Sequence, residues 1–266
     1  MTGPEAPSWA SAYGRDGVGV WAAFSVDGVT QRLRWIAPGV TVMGSPETEA
    51  GHAPQEGPAR EVAVDAGFWL AETPVTEALW EAVMQAPPAP TAGPRRPVTC
   101  VSWNEAQRFL SALRDRVAGL PARLPFEREW EHACRAGTAT ATWVGDPTID
   151  DGAAPELDAI AWYAANSGGA ARDVGEKTPN PRGLYDMLGN VWEWCADAYA
   201  PWRAKPKRVT AKTRETPPAK VLHTIRGGGW RSRADVVRAA MRGAFTPDVT
   251  DASVGLRVAV DGAEKR

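Results

Sequence analysis

Two short runs are the most specific part of this sequence, Gly183-Leu184-Tyr185-Asp186-Met187 and Gly189-Asn190-Val191-Trp192-Glu193-Trp194. The tryptophans of the second run belong to a marked excess. The chain has 13 Trp against 4 Tyr and 5 Phe, together with 26 Gly and 23 Pro. So many large rings among so many turn-forming residues predict a core clamped by aromatic side chains beneath irregular loops, and they argue against a helical bundle.

Length and composition are those of an ordinary globular protein. The 266 residues are 44% hydrophobic and 23% charged, and no linker separates two halves, so we expect one domain. Cys100, Cys134 and Cys195 form no Cys-x-x-Cys pair, which argues against a disulfide framework and against a thiolate zinc site. The first 30 residues lack a basic start followed by an apolar run, and no stretch of 18 apolar residues occurs. The sequence therefore predicts a cytoplasmic protein that does not enter a membrane.

Charge is divided unevenly along the chain. Residues 203–242 contain twelve Lys and Arg against the two acids Glu215 and Asp235, a balance of +10, whereas the whole chain has a net charge of -2. The electric field of such a basic segment could steer an anionic ligand or partner to the C-terminal region. The alternative is an exposed loop over residues 204–220 whose charges only keep it solvated.

Helices are predicted only in the middle of the chain. Ser102-Trp103-Asn104-Glu105 is a capping box, and the apolar spacing after it predicts a helix to about Ala118. We expect an earlier helix from about Thr76, and a later one that starts after Pro125 and ends near Gly137.

Strands are predicted on both sides of these helices. The early ones are expected at residues 29–35, 39–43 and 61–71, and the late ones near residues 221–226, 237–241 and 254–260. Between Gly137 and residue 221 the periodicity fades. We expect an irregular but packed region there, pinned by Trp143, Trp162, Trp192, Trp194 and Trp202.

Several further motifs stand in a fixed order around the two opening runs. They are Val42-Met43-Gly44-Ser45, Thr73-Pro74-Val75-Thr76, Val101-Ser102-Trp103, Arg123-Leu124-Pro125, Glu129-Trp130-Glu131, Arg226-Gly227-Gly228 and Gly255-Leu256-Arg257. In this order and spacing the motifs closely resemble the formylglycine-generating enzyme (sulfatase-modifying factor) family. The resemblance covers residues 35–260 and implies an α+β fold, a single irregular, loop-rich domain that is a variant of the C-type lectin fold. Residues 1–34 are then an N-terminal extension packed on or preceding the domain, and residues 261–266 are a tail.

Resemblance to this family leaves the activity open, because the same fold also serves ligand-binding proteins. A formylglycine generator of this family holds copper(I) with two thiolates. Counted from Arg226, the corresponding positions are Ser232 and Val237, and the serine of the family's Arg-Gly-Gly-Ser motif is Gly229. Since copper(I) requires soft sulfur ligands, we predict that the chain binds no copper and generates no formylglycine.

An oxidoreductase with divergent chemistry, such as non-heme iron, remains the alternative function. Family members of the ergothioneine type take their iron-binding histidines from a separate upstream helical domain, which the 34 residues before the resemblance cannot contain. Iron chemistry would therefore need another arrangement of ligands or another chain.

The resemblance also implies a calcium site. Its ligands would be the side chains of Asn190 and Glu193 and the backbone carbonyl of Val191, oxygen donors that suit a hard cation. The alternative is that Asn190 and Glu193 only tie down loop backbone between buried tryptophans.

Our main functional hypothesis is a non-catalytic binding module. We expect the former catalytic groove to be bordered by Trp230, Arg231, Arg233, Asp235, Arg238 and Arg242. Arginine offers a planar fork for a carboxylate or phosphate, and tryptophan offers a stacking face, so the expected partner is a protein segment or an anionic small molecule. The alternative is that Arg226, Arg238 and Arg242 are structural anchors. Nucleic acid is not expected, because the rest of the chain is acidic and carries no nucleic-acid motif.

Overall fold

The capping box of residues 102–105 forms as predicted. In this computed structural model, which describes residues 4–88, 90, 92–201 and 221–262, the Ser102 hydroxyl accepts a hydrogen bond from the Glu105 N–H at 3.2 Å. The Glu105 carboxylate accepts one in return from the Ser102 N–H at 2.9 Å. The resulting helix ends at Arg116, two residues before the predicted end.

The chain forms three helices and twelve strands within the described residues. The helices are α1 (Glu77–Met84), α2 (Trp103–Arg116) and α3 (Glu127–Arg135). The strands are β1 (Ala12–Arg15), β2 (Val20–Val26), β3 (Val29–Ile36), β4 (Gly39–Met43), β5 (Arg60–Val64), β6 (Phe68–Ala71), β7 (Ala122–Arg123), β8 (Trp192–Ala198), β9 (His223–Arg226), β10 (Arg242–Phe245), β11 (Val254–Gly255) and β12 (Ala259–Asp261). Short 3-10 turns occupy Pro54–Glu56 and Pro155–Leu157.

These strands pair into three sheets. Six antiparallel strands form the main sheet in the order β1-β2-β3-β6-β12-β7, in which β1 and β2 come from the predicted N-terminal extension. A second sheet has the order β10-β9-β8-β11, with β11 parallel to β8, and β4 pairs with β5 in a separate ribbon. The mixed, mostly antiparallel arrangement with three short helices confirms the predicted α+β class.

Two of the predicted strands are each divided between two sheets. Residues 61–71 bend before Phe68, where Gly67 lies against the Trp35 ring so closely that a Cβ would come within 2.2 Å of it. Residues 254–260 split into β11 and β12, because Arg257 between them turns inward to bind Glu193.

The strand predicted at residues 237–241 is wrong. This segment is a series of buried turns, and the nearby strand is β10, which starts at Arg242. The carbonyl oxygens of Ala239 and Ala240 accept hydrogen bonds from the Arg226 guanidinium instead of from a neighbouring strand. A buried arginine thus satisfies backbone groups that a sheet would otherwise have to pair.

Two apolar clusters make up the core. The first fills the space between the main sheet and the helices α1 and α2, where the rings of Trp80 and Phe109 stack at 5.2 Å. The second surrounds α3 and the irregular region, and it includes Trp130, Cys134 and Cys195. No helix of the described residues is long and apolar enough to cross a membrane.

The predicted irregular region is held in place by its glycines and tryptophans. Gly189 has a φ of +73°, and a Cβ there would lie 2.3 Å from the Trp162 carbonyl oxygen, so only glycine fits. The next residue, Asn190, donates its backbone N–H to the same oxygen at 2.7 Å. This contact sets the position from which β8 starts.

Candidate functional site

Strand β8 presents two different faces. Alternate side chains of a strand point in opposite directions, so Trp192 and Trp194 lie on one face and Glu193 and Cys195 on the other. The tryptophan face packs towards the first core cluster, with Trp192 half-buried. The opposite face turns towards α3 and is charged.

Glu193 is completely buried on the charged face. Its carboxylate accepts two hydrogen bonds from Arg257 through Oε1, at 2.6 and 3.1 Å, and Oε2 accepts a third from Arg257 at 3.0 Å. The indole N–H of Trp130 donates to Oε2 at 2.7 Å. Glu193 therefore ties β8 to α3 and to the segment before β12.

Two more arginines are buried beside α3. The Arg226 guanidinium contacts Glu131 and lies 3.2 Å from Glu127. Arg242 makes a bidentate pair with Glu127, and its exposed fraction is only 4%. These pairs join α3 to the strands β9 and β10.

Arg238 is buried as well, and it holds a loop 182 residues away in the sequence. Its guanidinium makes a bidentate pair with Glu56 at 2.8 and 2.9 Å and also pairs with Glu49. The remaining donors bind the carbonyl oxygens of Asp235 and Gly51. All of its polar hydrogens point into the protein, and none of its surface is exposed.

The structure therefore separates the six residues that we expected to border one groove. Arg238 and Arg242 are internal anchors, so for these two the surface role is wrong and the structural alternative holds. Arg233 is exposed but packs against Gly152, with its Nε 3.6 Å from Asp235 Oδ1. Trp230, Arg231 and Asp235 are each at least partly exposed, and their role in binding stays a prediction.

A smaller surface, which we call the tryptophan surface, is formed by Trp192, Trp230 and Arg231 around residues 251–253. The Trp230 indole donates to the Ala252 carbonyl oxygen at 3.0 Å, and the Arg231 guanidinium lies 5.9 Å from the centre of the Trp230 ring and pairs with Asp251. The Trp192 backbone N–H donates to the Ser253 carbonyl oxygen. Half of the Arg231 side chain, 52%, is exposed.

Gly229 lies against the Trp192 ring and against Ser253 of this surface. A Cβ at this position would lie 3.1 Å both from the Trp192 ring and from Ser253, so the glycine allows the loops to approach closely. Our sequence reasoning missed Trp192 as a surface residue. The alternation of Trp192 and Trp194 with Glu193 along a strand was the available signal, but it does not show which ring reaches solvent.

The positions implied for copper ligands hold no thiol. The Ser232 hydroxyl accepts a hydrogen bond from the Gly229 N–H at 3.0 Å, and Val237 is completely buried. A side chain at residue 228 would meet Val237 at 3.2 Å, so the valine is packed against the glycine-rich turn. Ser232 and Val237 thus stabilise the turn after β9.

The three cysteines lie elsewhere. Cys134 and Cys195 are buried in the second core cluster, and Cys100 is half-buried. Burial raises the pKa of the Cys134 thiol to about 12 and places the pKa of Cys195 well above its usual value. Thiolate is the reactive and metal-binding form, so neither buried thiol is suited to either role at neutral pH.

We expect this burial to be visible in thiol chemistry. Iodoacetamide should label at most Cys100 in the native protein, and it should label all three cysteines after unfolding in guanidinium chloride. Peptide mass spectrometry measures each site separately. Rapid labelling of Cys134 or Cys195 in the native state would contradict the burial described above.

The residues implied for calcium also make internal contacts. The Asn190 side chain accepts a hydrogen bond from the Arg172 N–H at 2.9 Å and donates to the Arg172 carbonyl oxygen at 3.1 Å. Val191 is buried, and the Glu193 carboxylate binds Arg257 and Trp130 as described above. The Asn190 contacts are with loop backbone, as in the alternative, whereas those of Glu193 are with side chains; the calcium site stays a prediction.

Asp186 is a buried carboxylate of this region, and one of its two oxygens accepts no hydrogen bond from the described residues. Its Oδ2 accepts from the Gly175 N–H at 2.8 Å, and its Oδ1 has no hydrogen-bond partner within the described part of the chain. Desolvation raises its pKa to about 6, although Gly175, Arg257 and Asn190 lower it. An orphaned buried oxygen of this kind fits a hard cation such as calcium.

Most of the basic segment predicted to attract anions lies outside the described residues. Of its twelve Lys and Arg, the structure describes Arg226, Arg231, Arg233, Arg238 and Arg242. Three of these five are buried in ion pairs, so their charges are already compensated. Trp202, one of the predicted pinning tryptophans, also lies outside.

Comparison with known proteins agrees with the fold. Residues 27–262 match the model of the sulfatase-modifying factor enzyme 1-like domain. The chain is 33% identical over 214 residues to the formylglycine-generating enzyme of Thermomonospora curvata. The aligned region covers 75% of this chain and 66% of that enzyme.

Two solved structures are similar over nearly their whole length. Variable protein 1 of Treponema denticola superposes with a TM-score of 0.71 at 26% identity, over 91% of this chain and 99% of that protein. PvdO from Pseudomonas aeruginosa has the same TM-score at 25% identity, over 95% of this chain and 98% of that protein.

Proposed function

This chain belongs to the family of sulfatase-modifying factor enzyme 1-like domains, and we propose that within this family it is a binding module rather than a generator of formylglycine. Its tryptophan surface would hold a protein segment, or a small anion, through Arg231 and the rings of Trp192 and Trp230. The observation that carries the proposal is the half-exposed Arg231 guanidinium 5.9 Å from the centre of the half-buried Trp230 ring, in a chain where Ser232 and Val237 stand at the positions implied for copper ligands.

The chemistry of the tryptophan surface favours an extended segment with an acidic side chain. Arg231 pairs with Asp251 and still exposes half of its side chain, so it has donors available for a second carboxylate. The adjacent rings can stack on an aromatic or apolar neighbour of that acid. Tryptophan and arginine are the residue types that most often dominate binding energy at protein interfaces.

A pull-down with a matched control tests the proposal. The double variant Trp230→Ala/Arg231→Glu should lose an abundant partner that the wild type retains, with a fall in capture of tenfold or more. Arg233→Glu makes the same charge change at an exposed arginine away from this surface, and it should retain the partner. Identical partner sets for all three proteins would remove the proposal.

The alternative, an oxidoreductase, is distinguished by metal analysis and by substrate. Among the described residues no three His, Cys, Asp or Glu side chains gather as a metal site, so the structure offers no residue to assign to iron. Stoichiometric iron or copper in the purified protein, or oxidation of a cysteine-containing peptide, would favour the enzyme over the binding module.

For calcium, the proposal centres on Asp186. A calcium ion would bind at Asp186 Oδ1, which accepts no hydrogen bond from the described residues, and it would neutralise a buried carboxylate. Calcium should then raise the melting temperature of the wild type but not that of Asp186→Asn. An equal calcium response of both proteins would exclude Asp186 as a ligand.

A further inference from the structure

A concave surface lies apart from the tryptophan surface and shares no residue with it. It is a cleft of about 800 Å³ between residues 45–47 and residues 52–59. Its walls are largely aliphatic, with Pro46, Pro54 and Pro58 among them, and its polar side chains include Glu47 and His52. Sites for small ligands commonly combine apolar walls with a few polar groups in this way.

Hydrogen bonds behind the cleft orient the His52 ring. The buried Ser45 hydroxyl donates to Glu56 Oε2 at 2.7 Å, and Glu56 is an acceptor only, because it is a carboxylate paired with Arg238. Ser45 Oγ also lies 2.8 Å from His52 Nδ1. Since the serine proton is already donated to Glu56, the histidine must be the donor in this contact.

This direction of donation determines the tautomer. A neutral His52 that carries its proton on Nδ1 has an unprotonated Nε2 with a lone pair. The arrangement is unlike that of a serine nucleophile, because the Ser45 proton points to the carboxylate and Ser45 as a whole is only 1% exposed. The group presented outward is therefore the imidazole Nε2, as a hydrogen-bond acceptor.

Gly57 leaves the nitrogen edge of the ring uncovered. A Cβ at this position would lie 3.0 Å from His52 Cε1 and 3.5 Å from Nε2, and Gly57 itself lines the cleft. Its φ of -107° is one that any residue adopts. The glycine is thus required for space beside His52 and not for backbone conformation.

The charges around the cleft favour a cation. Glu47 places a carboxylate at the cleft wall, whereas Glu49 and Glu56 behind it are paired with Arg238, and the charge of Arg135 also acts on Glu49. In the neutral ring His52 Nε2 accepts hydrogen bonds, as does the Glu47 carboxylate. A ligand that matches them must donate, and it gains Coulomb energy if it is positively charged.

We propose that this cleft binds a primary alkylammonium group, with the ammonium donating to His52 Nε2 and Glu47 and its methylene chain packing on the proline walls. A lysine side chain of a protein and a free aliphatic diamine share this chemistry. Lysine stems pack on apolar surface while the charged end remains hydrogen-bonded, as the cleft requires.

Titration with model compounds tests the proposal and separates the two sources. Nα-acetyl-lysine methylamide and 1,4-diaminobutane are added to the full chain with 15N-labelled histidine, and the His52 Nε2 signal and the backbone amides of residues 45–59 are followed by NMR. Saturable shifts with either compound are expected, and their relative affinities indicate a peptide or a free diamine. Nα-acetyl-norleucine methylamide, which has a similar chain without the ammonium, should cause no saturable shift.

Matched variants identify the acceptors. His52→Phe keeps the ring volume, Glu47→Gln removes one charge and Gly57→Ala covers the ring edge; each should weaken binding at least tenfold. Glu61→Gln removes an exposed charge on β5 outside the cleft and should leave the affinity unchanged. The absence of a saturable shift at His52, a protonated Nε2 in the neutral ring, or undiminished affinity in both Glu47→Gln and Gly57→Ala would overturn the proposal.

Discussion

Replacement of Arg238 by methionine is expected to lower the free energy of unfolding by about 3–5 kcal/mol at pH 7. The substitution leaves Glu49 and Glu56 buried without a positive partner, and it also removes the donors to two backbone carbonyl oxygens. For a protein of this size the loss corresponds to a fall in melting temperature on the order of 10 °C. Guanidinium chloride unfolding followed by circular dichroism measures it.

Arg233→Met is the matched control for this prediction. It removes an arginine five residues earlier that is 60% exposed, and its effect should stay within about 0.5 kcal/mol. If both variants lose the same stability, Arg238 is not the buried anchor described above.

The Arg238→Met defect should also depend on pH. Burial already raises the pKa of Glu49 in the wild type, and loss of the arginine raises it further. The folded variant then binds protons more readily than its unfolded state, so its stability relative to the wild type improves as the pH falls from 7 towards 5. A defect of constant size across this range would contradict an origin in uncompensated carboxylates.

Arg257→Met should be comparably destabilising, by about 3–5 kcal/mol, for the same physical reason. The Glu193 carboxylate would remain completely buried with the Trp130 indole as its remaining side-chain donor. The double variant Glu193→Gln/Arg257→Met removes both charges and should be more stable than the single Arg257→Met variant. A double-mutant cycle by chemical unfolding gives the coupling free energy.

Additive losses in that cycle would show that the two residues act independently. A stability of Arg257→Met close to that of the wild type would show that water or another donor replaces the guanidinium. Either outcome would contradict the account of this ion pair as the connection between β8 and the segment before β12.

Helices and strands whose formation depends on residues close in the sequence were predictable from the sequence. Helix α2 is encoded by its own capping box and apolar spacing, so its start is predicted correctly at Trp103. The division of residues 61–71 between two sheets was not predictable in this way, since it depends on the packing of Gly67 against Trp35 from another strand.

The candidate site was predictable only in part. The identities of Ser232 and Val237 are read directly from the sequence, and the expectation of no copper chemistry rests on them alone. Trp230 and Arg231 were predicted from the sequence as binding residues, and the structure places both at least partly at the surface. The contribution of Trp192 was missed, because exposure of one ring among several in a motif depends on what packs over it.

The sequence by itself determined the family and the tryptophan framework, because these depend on residue identity, spacing and local backbone geometry, as at Gly189. Only the tertiary structure decided which arginines are available to a partner. Arg231 and Arg238 look alike along the chain, yet Arg238 meets Glu56, which is 182 residues away, whereas Arg231 pairs with Asp251 at the surface. A charged side chain is an anchor or a binding group according to the partners that folding brings to it, and such long-range pairs leave no local pattern.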